Sequence, residues 1–251
     1  MKNTVLITGA LPSILVTLAT LPALAQNADA SSSEDRPVAA ASGVDHPVAP
    51  IKRAFEIGFA PGYTQGVGTI AKGGASIQDV AGPGGAFDLR LGYRMTRHLA
   101  FGLYGSYARY SNADLPSGYD VQGASAGIYG DWHFRPDRSI DPWLGVGSGW
   151  RGLFFTPDVG ESTSIMGWQI LRVQGGVDYR VTPEVALGPV LAASVNSFFG
   201  KNDAGTTGFV DIHQPRANFS FFAGFQGRFD LFGQREEAAS ASASRRAVAR
   251  R

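Results

Sequence analysis

The chain has 251 residues, with 22 Lys or Arg, 21 Asp or Glu, 33 Gly and no Cys. The lack of Cys excludes a disulfide framework, a cysteine nucleophile and a Cys-ligated zinc site. A formal net charge of +1 argues against a nucleic-acid partner, because neutralising backbone phosphates needs a basic surplus. Charged residues are few, at 17% of the chain, and Gly is enriched. This composition is unusual for a soluble enzyme.

Residues 1–25 have the pattern of a secretory signal peptide. A hydrophobic run ends at Leu21, and Pro22 precedes the small-x-small sequence Ala23-Leu24-Ala25, after which we expect cleavage. A retained membrane anchor is the alternative, but the run is short and is interrupted by Gly and Pro. The sequence therefore predicts an exported protein.

Two flanking segments lack hydrophobic periodicity. Residues 26–52 are rich in Ala, Ser, Asp and Pro, which predicts a disordered periplasmic lead-in. Residues 233–251 combine Ala and Ser with five Arg and two Glu, which predicts a disordered basic tail. Electrostatic contact of this tail with an anionic partner is the alternative. No apolar run of about 20 residues follows the signal, so no transmembrane helix is expected.

Between residues 53 and 232 the dominant period is two, which is typical of strands with one apolar and one polar face. The last segment is the clearest. Phe219, Phe221, Phe225 and Phe229 share one face, and polar residues alternate with them, with Phe222 as an exception. Eight such segments are predicted, at about 53–62, 84–95, 98–110, 119–134, 142–155, 164–181, 184–198 and 217–232.

The connections between these segments alternate in length. Short turns are predicted at 96–97, 135–141 and 182–183, and longer polar loops at 63–83, 111–118, 156–163 and 199–216. Short turns at one end and long loops at the other are typical of an outer-membrane barrel with both termini in the periplasm. The predicted fold is all-β, an eight-stranded antiparallel up-and-down transmembrane β-barrel over 53–232.

A soluble barrel also alternates, but its apolar face turns inward, and an eight-stranded barrel has room inside only for side chains. Here the charged face fits an interior of paired charges, because its acids and its arginines nearly cancel. Glycines on this face, such as Gly127 and Gly145, suit a crowded lumen. The predicted lumen charge network consists of Glu56, Asp88, Arg90, Arg94, Asp131, Arg151, Arg172, Asp178, Arg180, Arg228 and Asp230.

Two residues do not fit the simple pattern. Pro189 lies within the seventh segment and cannot donate to a strand ladder, so we expect a bulge or a shortened strand there. Arg109 falls on the outward face of the third segment, near its outer end, within reach of lipid phosphates.

The stretch Trp132-His133-Phe134-Arg135-Pro136, followed by Pro142-Trp143-Leu144-Gly145-Val146-Gly147, resembles a turn and strand common in small outer-membrane barrels of the OmpA, OmpX and OmpW type. The last predicted strand ends in Leu231-Phe232, similar to the aromatic ending that the barrel-assembly machinery recognises. The resemblance covers about 53–232. It implies insertion into the outer membrane by that machinery, contact with outer-membrane lipid and lipopolysaccharide, and a monomer.

No catalytic, metal or cofactor site is predicted, and no cofactor is expected. Of the four histidines, only His213 lies on the outer side, and it lacks the partners of a triad. Asp211 and His213 are too few to bind a metal. We expect a non-enzymatic protein with a largely closed lumen that contributes to envelope structure or surface interaction. A narrow conduit for small or hydrophobic molecules, as in the OmpW type, is the first alternative, and a lipid A-modifying enzyme is the second.

Overall fold

A computed structural model describes residues 50–112, 115, 118–202 and 208–234. The predicted signal peptide, most of the lead-in and all but the first two residues of the basic tail lie outside these residues. Within the described part of the chain, no helix is long and apolar enough to cross a membrane.

Nine strands and one short helix form the structure. In chain order they are β1 (Ala54–Val67), α1 (Ile77–Val80), β2 (Gly84–Arg94), β3 (Leu99–Tyr110), β4 (Tyr119–His133), β5 (Ile140–Pro157), β6 (Thr163–Arg180), β7 (Val185–Asn202), β8 (Val210–Asp211) and β9 (Ala217–Leu231). The two-residue strand β8 only pairs with the end of β7. The other eight strands form the barrel.

Each barrel strand pairs antiparallel with its neighbours in the chain, and β7 pairs with both β6 and β9. The sheet closes where β1 pairs with β9, from Phe55 opposite Leu231 to Val67 opposite Phe219. Because every barrel strand has two partners, no sheet edge is left unpaired, as a lipid environment requires. The prediction of a closed eight-stranded up-and-down barrel is confirmed.

Burial alternates along the strands with the polar side chains inside. Glu56 is 1% exposed, whereas its outward neighbours Phe55 and Ile57 are 60% and 37% exposed. Outward aromatic rings contact one another across strands, as in the series from Phe59 through Phe87 to Tyr107. An apolar exterior around a charged interior is the arrangement of a transmembrane barrel and the reverse of a soluble one.

Phe222, the exception to the alternation, points inward. It is 8% exposed and packs in an apolar cluster with Ala60, Trp143, Val190 and Ala192. The ring fills the space between small inward residues, so the exception in the sequence is a packing residue of the lumen.

The connections fall into two sets, which define a turn end and a loop end of the barrel. At the turn end, residues 95–98, 134–139 and 181–184 join consecutive strands. Thr96 Oγ1 accepts bonds from the backbone N–H groups of His98 and Leu99, and Thr182 Oγ1 does the same for Glu184 and Val185. A threonine thus orders each of these two turns by satisfying backbone donors.

Two local expectations need correction. Strand β1 continues to Val67, five residues beyond its predicted end, so the first loop begins later. The bulge or shortened strand expected at Pro189 is wrong, because β7 is continuous and Pro189 pairs with Phe225 of β9 without a register shift. The ladder to β6 lacks pairs at Gly188 and Pro189, the two positions between Val190 and Leu187, and keeps its register across them. The exposed ring of Pro189 therefore interrupts one ladder while the other continues.

The apolar outward face predicts that a charged substitution destabilises the barrel most where the side chain faces the middle of the bilayer. Leu103, in the middle of β3, is 61% exposed and lies opposite Leu91 and Ile128. We expect Leu103→Arg to lower the free energy of unfolding by about 2–4 kcal/mol, because the guanidinium would face the bilayer midplane. Val159→Arg, at the loop end between β5 and β6, is the control, with an expected change of at most ~1 kcal/mol. Urea unfolding in lipid vesicles measures both, and equal losses would contradict the outward assignment.

Candidate functional site: the filled lumen

All eleven residues of the predicted lumen charge network lie inside the barrel, and none is more than 8% exposed. They do not form one continuous group. Eight of them gather toward the turn end, in a turn-end cluster of Glu56, Arg90, Arg94, Asp131, Asp178, Arg180, Arg228 and Asp230. The other three, Asp88, Arg151 and Arg172, lie nearer the loop end.

Arg228, on β9, is the centre of the turn-end cluster. Its guanidinium faces three carboxylates from three other strands: Glu56 at 3.5 Å, Asp131 at 3.6 Å and Asp178 at 3.4 Å. The guanidinium carbon also lies 4.6 Å from the ring centroid of Trp143. A planar cation with five donors is suited to this position, because it can face several acceptors in one plane.

Arg94 and Arg180 extend the cluster across the barrel. Arg94 NH2 is 2.6 Å from Glu56 Oε2, and Arg94 Nε is 3.3 Å from Asp230 Oδ1. Arg180 NH1 is 3.1 Å from the other oxygen of Asp230. These contacts join β1, β2, β6 and β9, so the ion pairs span the lumen rather than following its wall.

Arg90 completes the cluster by pairing with Asp131 while its guanidinium carbon lies 3.8 Å above the ring centroid of Tyr129. The lumen has little spare volume here. A Cβ on Gly145 would collide with the Asp131 carboxylate, and one on Gly127 would lie 2.7 Å from Tyr104 Cε1. The glycines thus make room for the charged and aromatic side chains opposite them.

Two residues that contact the turn-end cluster were not in the predicted network: His133, at the end of β4, and Asp141, at the start of β5. Both are fully buried, and His133 Nδ1 is 2.7 Å from Asp141 Oδ2. Arg228 NH1 is 2.7 Å from His133 Nε2. Because arginine only donates, Nε2 must accept, so the ring proton lies on Nδ1 and is donated to Asp141.

The sequence did contain a signal for both residues. His133 is two positions after Asp131, and Asp141 is two positions before Trp143, so each lies on the inward face. Asp141 was missed because the fifth segment was predicted to begin at Pro142, whereas β5 begins at Ile140. With Asp141 added, the turn-end cluster has five carboxylates and four arginines, and the neutral His133 links Asp141 to Arg228.

Buried apolar side chains pack together at the loop end, in a group that we call the apolar cap. It contains residues from the ends of four strands, including Val121, Leu153, Ile165 and Phe198. Ile77 of α1 packs against them and is 4% exposed. The helix is fixed by a capping box, in which Ser76 Oγ accepts from Gln78 N–H and the Asp79 carboxylate accepts from Ser76 N–H.

Between the turn-end cluster and the apolar cap is a small polar cavity of about 30 Å³. Arg172 pairs with Asp88 at its wall. Arg151 lines it as well, donating to Ser220 Oγ at 2.9 Å and to Tyr110 Oη at 3.0 Å. The lumen is therefore filled in three layers: ion pairs, a hydroxyl-lined cavity and an apolar plug.

The other candidate residues lie outside this lumen. Arg109 faces outward and pairs with Asp120 at 2.9 Å, with its side chain 71% exposed. Asp211 and His213 are exposed near the loop end. Across the residues that the structure describes, no three His, Cys, Asp or Glu side chains form a group suited to a metal ion.

No protein-family model matches the chain, and no curated protein matches it. Solved structures do. Neisserial surface protein A matches with 21% identity and a TM-score of 0.47, covering 70% of this chain and 97% of that one. AlkL, an outer membrane protein solved in lipid bilayers, matches with 16% identity and a TM-score of 0.44, covering 84% and 99%. The protease OmpT from Escherichia coli matches with 9% identity and a TM-score of 0.30, covering 71% and 97%.

The predicted likeness to small outer-membrane β-barrels is confirmed by the structure of the chain itself. Its eight barrel strands close into a cylinder, and its polar side chains face inward and its apolar ones outward. This likeness concerns the fold alone.

The central position of Arg228 makes its removal costly. We expect Arg228→Met to lower the free energy of unfolding by about 3–5 kcal/mol, because three buried carboxylates lose a shared partner. Arg109→Met is the matched control, since it removes an exposed arginine from a single solvent-screened pair, and its effect should be close to zero. Urea unfolding in vesicles compares them, and similar losses for the two variants would show that the turn-end cluster does not stabilise the barrel.

Proposed function

We propose that this protein is a non-enzymatic outer-membrane barrel with a closed lumen, which contributes to envelope structure or surface interaction through its outer loops. The observation that supports the proposal is that buried side chains pack together at both ends of the barrel interior, in the turn-end cluster and in the apolar cap. Transport through the lumen would need both to move apart.

The two closures oppose an ion in different ways. At the turn end, an ion would have to separate Arg228 and Arg94 from their carboxylates, leaving buried charges unpaired. At the loop end it would have to pass Leu153 and Phe198, which are 1% and 0% exposed and offer it no polar group. Both features favour a structural barrel over the narrow conduit.

The outer loops supply the surface for interaction. Three large apolar residues stand out on them, Val159, Phe209 and Val210, with 91%, 58% and 54% exposure. Isolated exposed apolar residues are common, but all three lie at one end of the barrel, beyond the strands that face lipid. We propose that this end contacts lipopolysaccharide or another surface partner, that the barrel is a monomer, and that the barrel-assembly machinery inserts it.

The positions of the histidines support a non-enzymatic role. Both ring nitrogens of His133 are engaged in the turn-end cluster, by Asp141 and Arg228. His98 Nδ1 contacts the carbonyl oxygen of His133 at the same end. His213 lies at the loop end, where its Nε2 is 3.4 Å from Gln214 Nε2. Altered lipid A acylation on expression would overturn this part of the proposal.

Planar-bilayer recording tests the closed lumen. We expect no resolved conductance steps from the wild-type protein, because no continuous aqueous path crosses the two closures. Heat-modifiable migration on a gel first establishes that the barrel is folded and inserted. The matched variant Arg228→Ser with Phe198→Ala removes one closing side chain at each end and should conduct more than wild type. Regular steps from the wild type would favour the conduit instead.

Single-cysteine labelling tests the orientation, for which we propose that both termini and the short turns are periplasmic. The chain has no Cys, so each introduced thiol is unique. On intact cells a membrane-impermeant maleimide should label Val159→Cys, in an outer loop, and should leave Arg135→Cys, in a short turn, unlabelled until the cells are lysed. The opposite pattern would reverse the orientation.

A further inference from the structure

The cavity between the turn-end cluster and the apolar cap contains a positive charge without a carboxylate partner. Asp88 is paired with Arg172, so these two side chains cancel. Arg151 is 8% exposed, and both of its contacts in the described part of the chain are to neutral hydroxyl oxygens, those of Ser220 and Tyr110. An isolated buried cation is costly unless an anion accompanies it.

The hydroxyl groups around Arg151 are arranged as donors toward the cavity. The oxygen of Ser220 accepts from Arg151 at 2.9 Å and from Asn196 Nδ2 at 3.2 Å. The oxygen of Ser194 accepts from Gln169 Nε2 at 2.6 Å, and that of Tyr110 accepts from Arg151. Among the described residues these three hydroxyls are hydrogen-bonded as acceptors, so each O–H can donate toward the cavity.

We infer that this cavity is a binding site for a monatomic anion such as chloride. The anion would accept from the hydroxyls of Tyr110, Ser194 and Ser220 and would neutralise Arg151. Donors and a cation that converge on one space are the complement of an anion, whereas a water molecule accepts from them without neutralising the charge.

The volume restricts the anion to a small one. The cavity measures about 30 Å³, and one water molecule needs roughly 10–15 Å³ on this scale. The space is therefore sufficient for about two waters or one halide. A phosphate or a sugar acid does not fit, which also separates this site from the headgroups of lipopolysaccharide.

The charge of the whole lumen fits the same inference. The turn-end cluster with Asp141 has one more carboxylate than arginine, and the loop end has one more arginine than carboxylate. The interior is neutral in sum, but its two halves are not, since the surplus carboxylate belongs to the turn-end group and the surplus arginine, Arg151, lines the cavity. A chloride ion beside Arg151 would neutralise the excess positive charge in the loop-end half of the lumen.

Halide-dependent stability tests the site in the refolded full-length protein. We compare urea unfolding in sodium chloride and in sodium gluconate at equal ionic strength, since gluconate is too large for the cavity. Chloride at ten times its dissociation constant should lower the unfolding equilibrium constant about 11-fold, and the effect should saturate. Equal stability in the two salts would overturn the inference.

Variants locate the effect. Arg151→Gln should abolish the difference between the salts, whereas Arg90→Gln, which removes a buried arginine of the turn-end cluster, should retain it.

If Arg151→Gln does not fold, Ser194→Ala removes one donor with little change in volume and should raise the dissociation constant of chloride about tenfold. Ser148→Ala, whose hydroxyl donates to the Gln169 carbonyl, is its control. An unchanged chloride response in Arg151→Gln or Ser194→Ala would overturn the site.

Bromide gives a direct position. In crystals grown from bromide, we expect an anomalous peak between Arg151, Ser194 and Ser220, and bromide found only elsewhere would refute the assignment. Stability and diffraction do not depend on conductance, so this inference can fail while the closed-lumen proposal stands, and the reverse is also possible.

Discussion

The paired charges inside the barrel are the interaction on which the remaining structure depends. Lipid requires an apolar exterior, and the period of two along a strand then places every other residue in the interior. Eight strands leave room only for side chains, so those residues must satisfy one another without bulk water. Arg228 meets this requirement for three strands at once by facing Glu56, Asp131 and Asp178.

Other features of the lumen follow from this demand. Side chains as large as arginine need space opposite them, and glycines such as Gly145 and Gly127 provide it. Above the ion pairs the polar groups become hydroxyls and amides, and at the loop end the lining becomes apolar around Leu153 and Phe198. The lining of the lumen thus changes along its axis from charged to polar to apolar.

Much of the fold is legible in the sequence, because strand alternation is a local property. The eight segments, their inward faces and the two sets of connections agree with the structure to within a few residues at most strand ends. Pro189 was misjudged because a proline affects only the ladder on its N–H side, and which side that is depends on pairing. Helix α1 lies in a segment predicted as loop, because four residues are too few for a periodic signal.

The pairing inside the lumen was less predictable. The alternation along each strand identified the eleven inward charged residues but not their partners. A contact such as Arg94 with Asp230 depends on the register and the closure of the whole sheet. Asp141 was missed by a boundary error of two residues, and with it the contact between Asp141 and His133. The apolar cap requires knowing that strand ends from β4, β5, β6 and β7 meet above the cavity, which no single segment encodes.

The distribution of the turn-end cluster over the chain has a consequence for assembly. Carboxylates on β1, β4 and β6 pair with Arg228, and Arg94 and Arg180 pair with Asp230. Both Arg228 and Asp230 belong to β9, the last strand of the barrel. A sheet of seven strands would lack both side chains, so Asp178 and Arg180 would lose their ion-pair partners beside an open seam. The final strand brings Arg228 and Asp230 into place and closes the wall in the same step, which couples pairing of the interior charges to completion of the cylinder.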